Sequence, residues 1–201
     1  MAVNVAISGF GRIGRLVLRS IIESKRKDIN VVAINDLAPV DTNAFLLAND
    51  TVHGPLKEKI SVKKNKMIIG RKTISVLNER DPQKLPWKKM KIDVALECTG
   101  LFTSKEKASM HIKAGAKKVL VSAPCSEADK TIVYGVNEQE ITRNDLVISN
   151  ASCTTNCLAP VVKVLHEKFG IVHGYMTTIH AFTGDQSVLD TFHPDLRRAR
   201  A

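Results

Sequence analysis

One cysteine has neighbours that could turn its thiol into a nucleophile. Cys153 lies in the run Ser-Cys-Thr-Thr-Asn-Cys at residues 152–157, which follows an apolar run and opens a predicted helix over residues 153–168. A thiol at the start of a helix sits at the positive end of the helix dipole, which favours the thiolate. The position therefore predicts a nucleophile at neutral pH, whereas a buried structural cysteine is the common alternative for this residue type.

The other three cysteines are weaker candidates. Cys98 ends an apolar strand and Cys157 falls one turn into the helix, so both are interpreted as core residues, and Cys125 lies in an uninformative loop after a proline. Cys153 and Cys157 are four positions apart, unlike the Cys-x-x-Cys spacing of a zinc or redox pair, so no metal site is expected. His180 ends the next predicted strand, residues 171–181, and by position alone a pairing with Cys153 and an unrelated histidine are equally open.

A glycine-rich segment predicts a dinucleotide site. Residues 9–14 read Gly-Phe-Gly-Arg-Ile-Gly, between a predicted strand and a predicted helix. In this motif Gly9 permits the turn, Gly11 lets a pyrophosphate approach the backbone, and Gly14 lets helix and strand pack closely, while the helix N-terminus offers N–H groups to the phosphates. Asp36 ends the second strand, where a carboxylate takes the ribose hydroxyls of NAD and disfavours a 2′-phosphate.

Other residues at strand ends are candidates for the same crevice. Asn35 precedes the acidic residue, and Thr99-Gly100 follows another apolar strand. The carboxyl ends of parallel strands form the ligand crevice of such sheets. For Asn35 a simple strand-end turn is as good an explanation as ligand contact.

The elements that must position these residues alternate between strand and helix. Predicted strands at residues 3–8, 29–35, 92–96, 119–122 and 146–149, with helices at 12–25, 41–47 and 104–114, indicate a Rossmann-type doubly wound α/β fold with a parallel sheet covered on both faces. A hairpin is expected around Gly70-Arg71, and Pro160 should bend the last helix or delay its start. We place an NAD-binding Rossmann domain at residues 1–150. Residues 151–201 are then the beginning of an α+β catalytic domain, too short to close a core and thus expected to be incomplete.

Composition narrows the possible partners. The 201 residues carry a net charge of +10, but the basic clusters lack the interleaved aromatics of a single-strand platform, so a solvated lysine-rich surface is favoured over nucleic-acid binding. No signal peptide and no apolar run long enough for a membrane span are expected. Unpaired thiols then favour a reducing cytoplasm.

Three segments together resemble the phosphorylating glyceraldehyde-3-phosphate dehydrogenase family, and the closing Asp-Leu-Arg-Arg-Ala-Arg-Ala at residues 195–201 resembles its bacterial branch. The three segments are the glycine motif extended to Arg15, the run Ser-Cys-Thr-Thr-Asn-Cys-Leu-Ala-Pro at 152–160, and Thr-Thr-Ile-His at 177–180. The resemblance covers the whole chain in order and corresponds to the N-terminal three-fifths of a family chain. The cysteine motif is highly specific, whereas the glycine motif is common to many dinucleotide-binding proteins.

The resemblance implies a chemistry and a set of roles. In glycolysis, Cys153 would attack the aldehyde to form a thiohemiacetal and then a thioester, which inorganic phosphate would cleave to 1,3-bisphosphoglycerate, with His180 as base. The implied phosphate-binding residues are Ser152, Thr154, Thr183 and Arg198. The implied cofactor-binding residues are Gly9, Gly11, Arg12, Ile13, Gly14, Asp36, Arg80 and Ser122. The resemblance further implies a homotetramer.

Two departures and two alternatives accompany the resemblance. Family chains are longer, so this chain alone is expected to be inactive or poorly folded. Thr191-Phe192 stands where the family has Leu-Pro or Gly-Pro, which leaves the choice between NAD and NADP open at that point, although Asp36 and Leu37 favour NAD. The alternatives are erythrose-4-phosphate dehydrogenase, which uses water in place of phosphate, and an NAD-binding fragment without turnover.

Overall fold

The structure is a computed structural model that describes residues 2–184, 186, 188–193 and 195–200. The chain divides into two compact units, Met1–Val164 and Leu165–Ala201. The strands are β1 Val3–Ser8, β2 Ile29–Asn35, β3 Asn49–Asp50, β4 Gly54–Pro55, β5 Ile60–Val62, β6 Lys66–Ile69, β7 Lys72–Leu77, β8 Val94–Glu97, β9 Lys118–Val121, β10 Lys130–Thr131 and β11 Val147–Ser149. The α-helices are α1 Arg12–Glu23, α2 Val40–Ala48, α3 Lys105–Ala108, α4 Met110–Lys113 and α5 Cys153–Phe169. Single turns of 3-10 helix occur at Pro82–Lys84, Glu138–Glu140 and Leu196–Arg198.

The first unit is built on one large sheet, which confirms the predicted fold class. The strand order is β10-β11-β9-β8-β1-β2-β7-β6-β5. All neighbours from β10 to β7 are parallel, and the β7-β6-β5 edge is antiparallel. From β1 the chain proceeds outward through β2 and then returns to the other side at β8. The sheet is therefore doubly wound, with its topological switch point between β1 and β8.

Both faces of the sheet are covered, as a parallel sheet requires. Val5 and Ile7 of β1 belong to a core cluster with Leu18 and Ile21 of α1. Ala6, the intervening residue, points to the second cluster, which contains the fully buried Trp87. This alternation of neighbouring side chains between the two faces is what the pleat of a strand produces. The near-continuous apolar run in β1 is thus explained by burial on both sides.

One predicted helix is interrupted. Residues 104–114 form two short helices, α3 and α4, that meet at Ser109, instead of a single helix. The Ser109 hydroxyl donates to the carbonyl of Lys105 over 2.6 Å, and such hydroxyl–backbone bonds compete with regular helix geometry. The predicted N-cap is confirmed, because the Ser104 hydroxyl accepts from the amide of Lys107 at 3.3 Å.

The end of the chain differs most from expectation. The strand predicted at residues 171–181 is absent from these described residues, which adopt no regular structure. Tyr175 and Ile179 are fully exposed. A strand is stabilised by its hydrogen-bonded neighbours, and the described residues of the second unit, Leu165–Ala201, contain no strand that could serve as one. The apolar pattern alone was therefore insufficient to make a strand.

Helix α5 begins at Cys153 and continues through Pro160 to Phe169, so of the two alternatives for Pro160, a bend or a later start, the later start is wrong. Proline lacks an amide hydrogen, yet the helix spans it. No side chain of this helix is buried, although every one of its residues is described. Among the described residues as a whole, no helix combines the length and the apolar character that a membrane crossing requires.

One carboxylate ties the β10 edge of the sheet to its neighbours. Asp129 accepts hydrogen bonds from the amides of Leu146 and Val147 at 2.9 and 2.8 Å and forms an ion pair with Lys105. The hydrogen bond from Lys105 and the two amides lower the pKa of Asp129 to about 2. The side chain of Asp129 is 19% exposed to solvent.

Asp129→Asn should therefore destabilise the first unit by about 1 kcal/mol at neutral pH, after a discount for solvent screening. The folded-state pKa lies below that of the unfolded chain, so the contribution is complete above about pH 5 and is lost progressively as the pH falls toward 2. Urea unfolding at several pH values should show the gap between variant and wild type shrinking from pH 5 to pH 3. Glu106→Gln, an exposed carboxylate of α3, should show no such gap; an equal effect there would contradict the assignment.

Candidate dinucleotide and thiol sites

The carboxyl ends of the central strands enclose a cleft of about 360 Å³ at the topological switch point. Its walls come from the segments after β1, β2, β7 and β8. The lining residues are Ser8, Gly9, Gly11, Asn35, Asp36, Leu37, Glu79, Arg80, Pro82, Cys98, Thr99, Leu101 and Phe102. Open α/β sheets bind ligands at this place. The structure thus brings together the glycine turn, the strand-end carboxylate and Thr99, as the sequence predicted.

The three motif glycines are required for different reasons. Gly9 has a φ of +86°, and a Cβ there would lie 2.6 Å from the amide nitrogen of Thr99. A Cβ on Gly14 would lie 2.2 Å from the carbonyl oxygen of Gly9, so this residue allows α1 to approach the turn. Gly11 has no atom within 4 Å of the position of a Cβ. Packing within the chain does not explain Gly11, and the space it leaves open on the cleft fits a close backbone approach by a pyrophosphate.

The carboxylate of Asp36 shapes the glycine turn as well as facing the cleft. Its Oδ2 accepts from the amide of Phe10 at 2.7 Å, and its Oδ1 accepts from the amide of Ala38 at 2.9 Å. Oδ1 also accepts a longer hydrogen bond of 3.5 Å from the side-chain amide of Asn43, so the second lone pair of Oδ2 is the acceptor that remains for a ribose hydroxyl. The sequence indicated the ligand role but gave no sign of this second, structural role.

The N-terminus of α1 is suited to an anion. Gly11 is the N-cap residue, no side chain caps the helix, and no acidic residue lies in its first turn. Arg12 is exposed and its guanidinium pairs with Asp50 at 2.9 Å. Asp50 has a pKa lowered to about 2, chiefly by the amide of His53. Neither Arg12 nor Ile13 is among the residues that line the cleft, and Ile13, in the first turn of α1, is half exposed.

The remaining cofactor candidates differ in their exposure and in their hydrogen bonds within the protein. Arg80 is exposed at the rim of the cleft. Ser122 follows β9; its amide donates to the carbonyl of Glu97 at 3.0 Å, and its hydroxyl bonds to the thiol of Cys98. The Asn35 side chain is buried and exchanges two hydrogen bonds of 2.9 Å with the backbone of Glu79. For Asn35 the structural explanation is the better one, because its amide links β2 to the segment after β7.

Asp36→Asn should weaken NAD binding by roughly 10- to 100-fold, because an amide has one acceptor oxygen for the two amides of Phe10 and Ala38 and leaves a donor unpaired. Calorimetric titration of NAD and of NADP into the wild type and the variant measures the effect. The ratio of NAD affinity to NADP affinity should be smaller in the variant. Asp41→Asn, an exposed carboxylate in the first turn of α2, is the matched control. Equal NAD affinity in the Asp36 variant would rule out the carboxylate as a cofactor ligand.

Cys153 opens α5, as predicted, and hydroxyl groups surround the turn. The Ser152 hydroxyl accepts from the amide of Thr155 at 3.0 Å, as a helix N-cap does. It also lies 2.9 Å from the hydroxyl of Thr154 and 2.7 Å from that of Thr155. Cys153 itself is exposed. The predicted phosphate-binding residues Ser152 and Thr154 are thus beside the thiol in the chain and share one hydrogen-bonded cluster.

Ser152 also faces a second cleft of about 490 Å³ within the first unit. This cleft is rich in hydroxyl groups, and its lining residues are Thr103, Pro124, Cys125, Ser126, Thr131, Ser149, Ala151, Ser152 and Thr155. It lies at the carboxyl ends of β9 and β11, next to the start of α5. A small polar substrate could enter it beside the thiol-bearing turn.

The other cysteines are compared with Cys153 by their exposure and by the pKa of their thiols. Burial raises the pKa of Cys98 to about 11, although a hydrogen bond from Ser122 works in the opposite direction. Burial also raises the pKa of Cys125. The interpretation of Cys98 as a core residue agrees with its packing against the first core cluster. For Cys157 that interpretation is wrong: its side chain is exposed, because no side chain of α5 is buried.

The second unit holds the other predicted catalytic residues. The Nδ1 of His180 lies 2.6 Å from the carbonyl oxygen of Ala181, so this nitrogen carries the proton. The amide of Thr183 donates to the side chain of Gln186 at 2.9 Å. Arg198 ends the 3-10 turn Leu196–Arg198 and is exposed. Cys153 and His180 belong to different compact units, so their pairing remains a prediction.

Sequence reasoning missed one group beside the first cleft. Glu97 is 1% exposed and bonds to Thr99 and to the fully buried His111. The available signal was a carboxylate at the end of an otherwise apolar strand, Val-Ala-Leu-Glu. A buried charge of this kind requires partners, but the sequence did not indicate which residues they were.

The geometry defines a dinucleotide-binding Rossmann-type domain followed by a helix that begins at a cysteine. Comparison with protein families agrees: residues 3–105 match the model for "glyceraldehyde 3-phosphate dehydrogenase, NAD binding domain", and residues 152–201 match the C-terminal domain of the same enzyme. The chain belongs to the glyceraldehyde-3-phosphate dehydrogenase family, and NAD is the cofactor of its first domain.

Curated relatives with that name are similar over the whole chain. The protein from Xanthobacter flavus is 61% identical over 201 residues, which are 100% of this chain and 60% of the relative. The proteins from Cereibacter sphaeroides and Geobacillus stearothermophilus are 60% and 54% identical, with the same shares covered. The chain therefore spans about 60% of the length of the relatives it matches.

Proposed function

We propose that this chain carries the cofactor site and the nucleophile of an NAD-dependent, phosphorylating glyceraldehyde-3-phosphate dehydrogenase. The observation that carries the proposal is the coexistence of two sites in one unit: a glycine-lined cleft at the switch point, and an exposed cysteine at the start of α5. The first fits a dinucleotide and the second a covalent step. Residues 1–150 form the NAD-binding domain in this proposal, and residues 151–201 begin the catalytic domain.

The proposed cofactor residues follow from the cleft and from the family. The backbone at Gly9, Gly11 and Gly14 and the start of α1 hold the pyrophosphate, and Asp36 accepts from the ribose hydroxyls. Arg12, Ile13, Arg80 and Ser122 complete the proposed set. NAD, when bound, supplies the hydride acceptor for the oxidation.

The proposed covalent chemistry takes place on one sulfur atom. The Cys153 thiolate attacks the aldehyde carbon of glyceraldehyde 3-phosphate, a C–S bond forms, and the imidazolium of His180 donates the proton that makes the carbonyl oxygen the hydroxyl of a thiohemiacetal. His180 takes the hydroxyl proton as hydride leaves that carbon, which produces a thioester. An oxygen of inorganic phosphate then attacks the thioester carbon, the C–S bond breaks, and 1,3-bisphosphoglycerate and the thiolate are released.

The phosphate groups require cationic and hydroxyl partners. Ser152, Thr154, Thr183 and Arg198 are the proposed set, and the planar guanidinium of Arg198 can hold phosphate through two parallel hydrogen bonds. The whole protein is proposed to work in the cytoplasm as a homotetramer, with its substrates as the principal partners. Nucleic acid and membranes are not among the proposed partners.

The test is NADH formation from glyceraldehyde 3-phosphate, followed by absorbance, in the intact protein that contains this chain. We expect strong dependence on inorganic phosphate and loss of turnover in Cys153→Ser, with Cys157→Ser as the control that retains it. Oxidation that ignores phosphate and prefers erythrose 4-phosphate would favour the water-using relative instead. The 201-residue chain alone should bind NAD without turnover, and full turnover by this chain would refute that expectation.

A further inference from the structure

A buried chain of hydrogen bonds ends at the dinucleotide cleft. Trp87 donates through its indole N–H to Nδ1 of His111 over 3.0 Å. Nε2 of His111 lies 2.9 Å from Oε2 of Glu97. Oε1 of Glu97 accepts from the amide of Thr99 at 2.7 Å and from its hydroxyl. Trp87, His111 and Glu97 are each no more than 1% exposed.

The chemistry of these groups fixes the tautomer of His111. An indole N–H is a donor only, so Nδ1 of His111 must accept. Nε2 of His111 therefore carries the proton and donates to Glu97. The Thr99 hydroxyl accepts from the amide of Leu101 at 3.0 Å and can direct its own hydrogen to Glu97. Both carboxylate oxygens thus accept hydrogen bonds, Oε2 from His111 and Oε1 from Thr99.

This network holds the wall of the cleft that faces the glycine turn. Thr99 is the residue whose backbone lies against Gly9, where a Cβ would come within 2.6 Å of its nitrogen. Thr99, Leu101 and Phe102 all line the cleft. The ring of Phe102 packs edge-on against His111, with 6.4 Å between centroids.

We propose that Glu97, oriented by His111 and Trp87, is a positioning residue for NAD binding: it fixes the Thr99 wall against the glycine turn at the spacing the dinucleotide requires. The proposal rests on the proposed function of the cleft. Glu97 acts through Thr99 in this proposal.

Glu97→Gln is the most specific substitution, because Gln has nearly the same shape as Glu. It replaces one acceptor oxygen by an NH2 group, which is a donor. The new amide oxygen serves Thr99, so the new NH2 group faces Nε2 of His111. If Nε2 accepts, the histidine proton moves to Nδ1 and confronts the indole N–H of Trp87. Two donors face each other in every arrangement. We expect NAD affinity to fall by about tenfold and amide hydrogen exchange at Thr99 and Leu101 to accelerate.

Trp87→Phe relieves that conflict, since it removes the opposing N–H. In the double variant Glu97→Gln/Trp87→Phe, NAD affinity should return to within about threefold of that of Trp87→Phe alone. A merely structural loss would instead make the double variant worse than either single one. Calorimetric titration of NAD into the 201-residue chain and its variants measures the NAD affinity. Amide hydrogen exchange at Thr99 is measured separately, in the absence of NAD.

The outcomes separate the two proposals. Recovery of affinity and of slow Thr99 exchange in the double variant supports the positioning role. Unchanged affinity and exchange in Glu97→Gln, or additive losses in the double variant, overturns it. If the wild-type chain binds no NAD, the proposed function of the cleft fails, whereas the exchange rates at Thr99 still decide whether Glu97 positions this wall.

Discussion

Gly9→Ala should destabilise the first unit by about 3 kcal/mol or more, whereas Gly11→Ala should leave its stability nearly unchanged and still remove most NAD binding. At Gly9 the backbone has a φ of +86°, and a Cβ would meet the backbone nitrogen of Thr99 at 2.6 Å. The left-handed conformation and the clash with an immobile strand end each cost roughly 1–3 kcal/mol. At Gly11 no atom lies within 4 Å of a Cβ, so only a ligand would meet it.

Urea unfolding followed by the emission of Trp87, which is the one tryptophan in the sequence, measures the stability of both variants. NAD titration measures binding. The pair is its own control, because the same substitution two positions apart should affect different observables. A Gly11→Ala protein that binds NAD as tightly as the wild type would show that the pyrophosphate does not approach the backbone there.

Iodoacetate should label Cys153 on the order of tenfold faster than Cys157 and more than a thousandfold faster than Cys98. At pH 7 an unperturbed thiol is only a few per cent thiolate, so full ionisation at a helix start raises the reactive population by about 30-fold, which lower nucleophilicity partly offsets. Cys98 has a pKa of about 11 and is partly buried, so only about one thiol in ten thousand is ionised at pH 7.

Cys157 is the matched control, because it is exposed on the same helix one turn later. Mass spectrometry of digested protein after timed labelling gives the rate at each site. Equal rates at Cys153 and Cys157 would mean that the helix start does not activate the thiol, and the proposed covalent chemistry would lose its physical basis. The difference between Cys153 and Cys98 should shrink in denaturant as burial is lost.

Much of the first unit could be predicted because its signals are local. The apolar runs that became β1 and β2 were predicted with the same bounds, and the Gly70-Arg71 turn lies between β6 and β7 as expected. A strand buried on both faces is apolar at every position, and a glycine-rich turn between strand and helix has few structural alternatives. The meeting of the glycine turn with Asp36 and Thr99 followed from topology alone, since parallel strands place their carboxyl ends at one edge.

The errors arose where burial depends on distant partners. Cys157 was predicted to be buried from its position in a helix, but α5 has no buried side chain. Residues 171–181 have the apolar character of a strand, but the described residues of their own unit, Leu165–Ala201, offer no strand to pair with. The apolar pattern of a helix or strand indicates which residues can be buried. Whether they are buried depends on the elements that pack against them. The proposed boundary near residue 150 and the roles of the individual site residues stay predictions.

By itself the sequence determined the doubly wound sheet, the dinucleotide motif and the cysteine at a helix start, because each depends on residues near one another in the chain. Only the tertiary structure decided that Asp36 also anchors the glycine turn and that Trp87, His111 and Glu97 support Thr99. These contacts join residues that lie 26, 24 and 14 positions apart. Hydrogen-bond partners at such separations are selected by the packing of the sheet and its connecting segments, which no local pattern of residue types encodes.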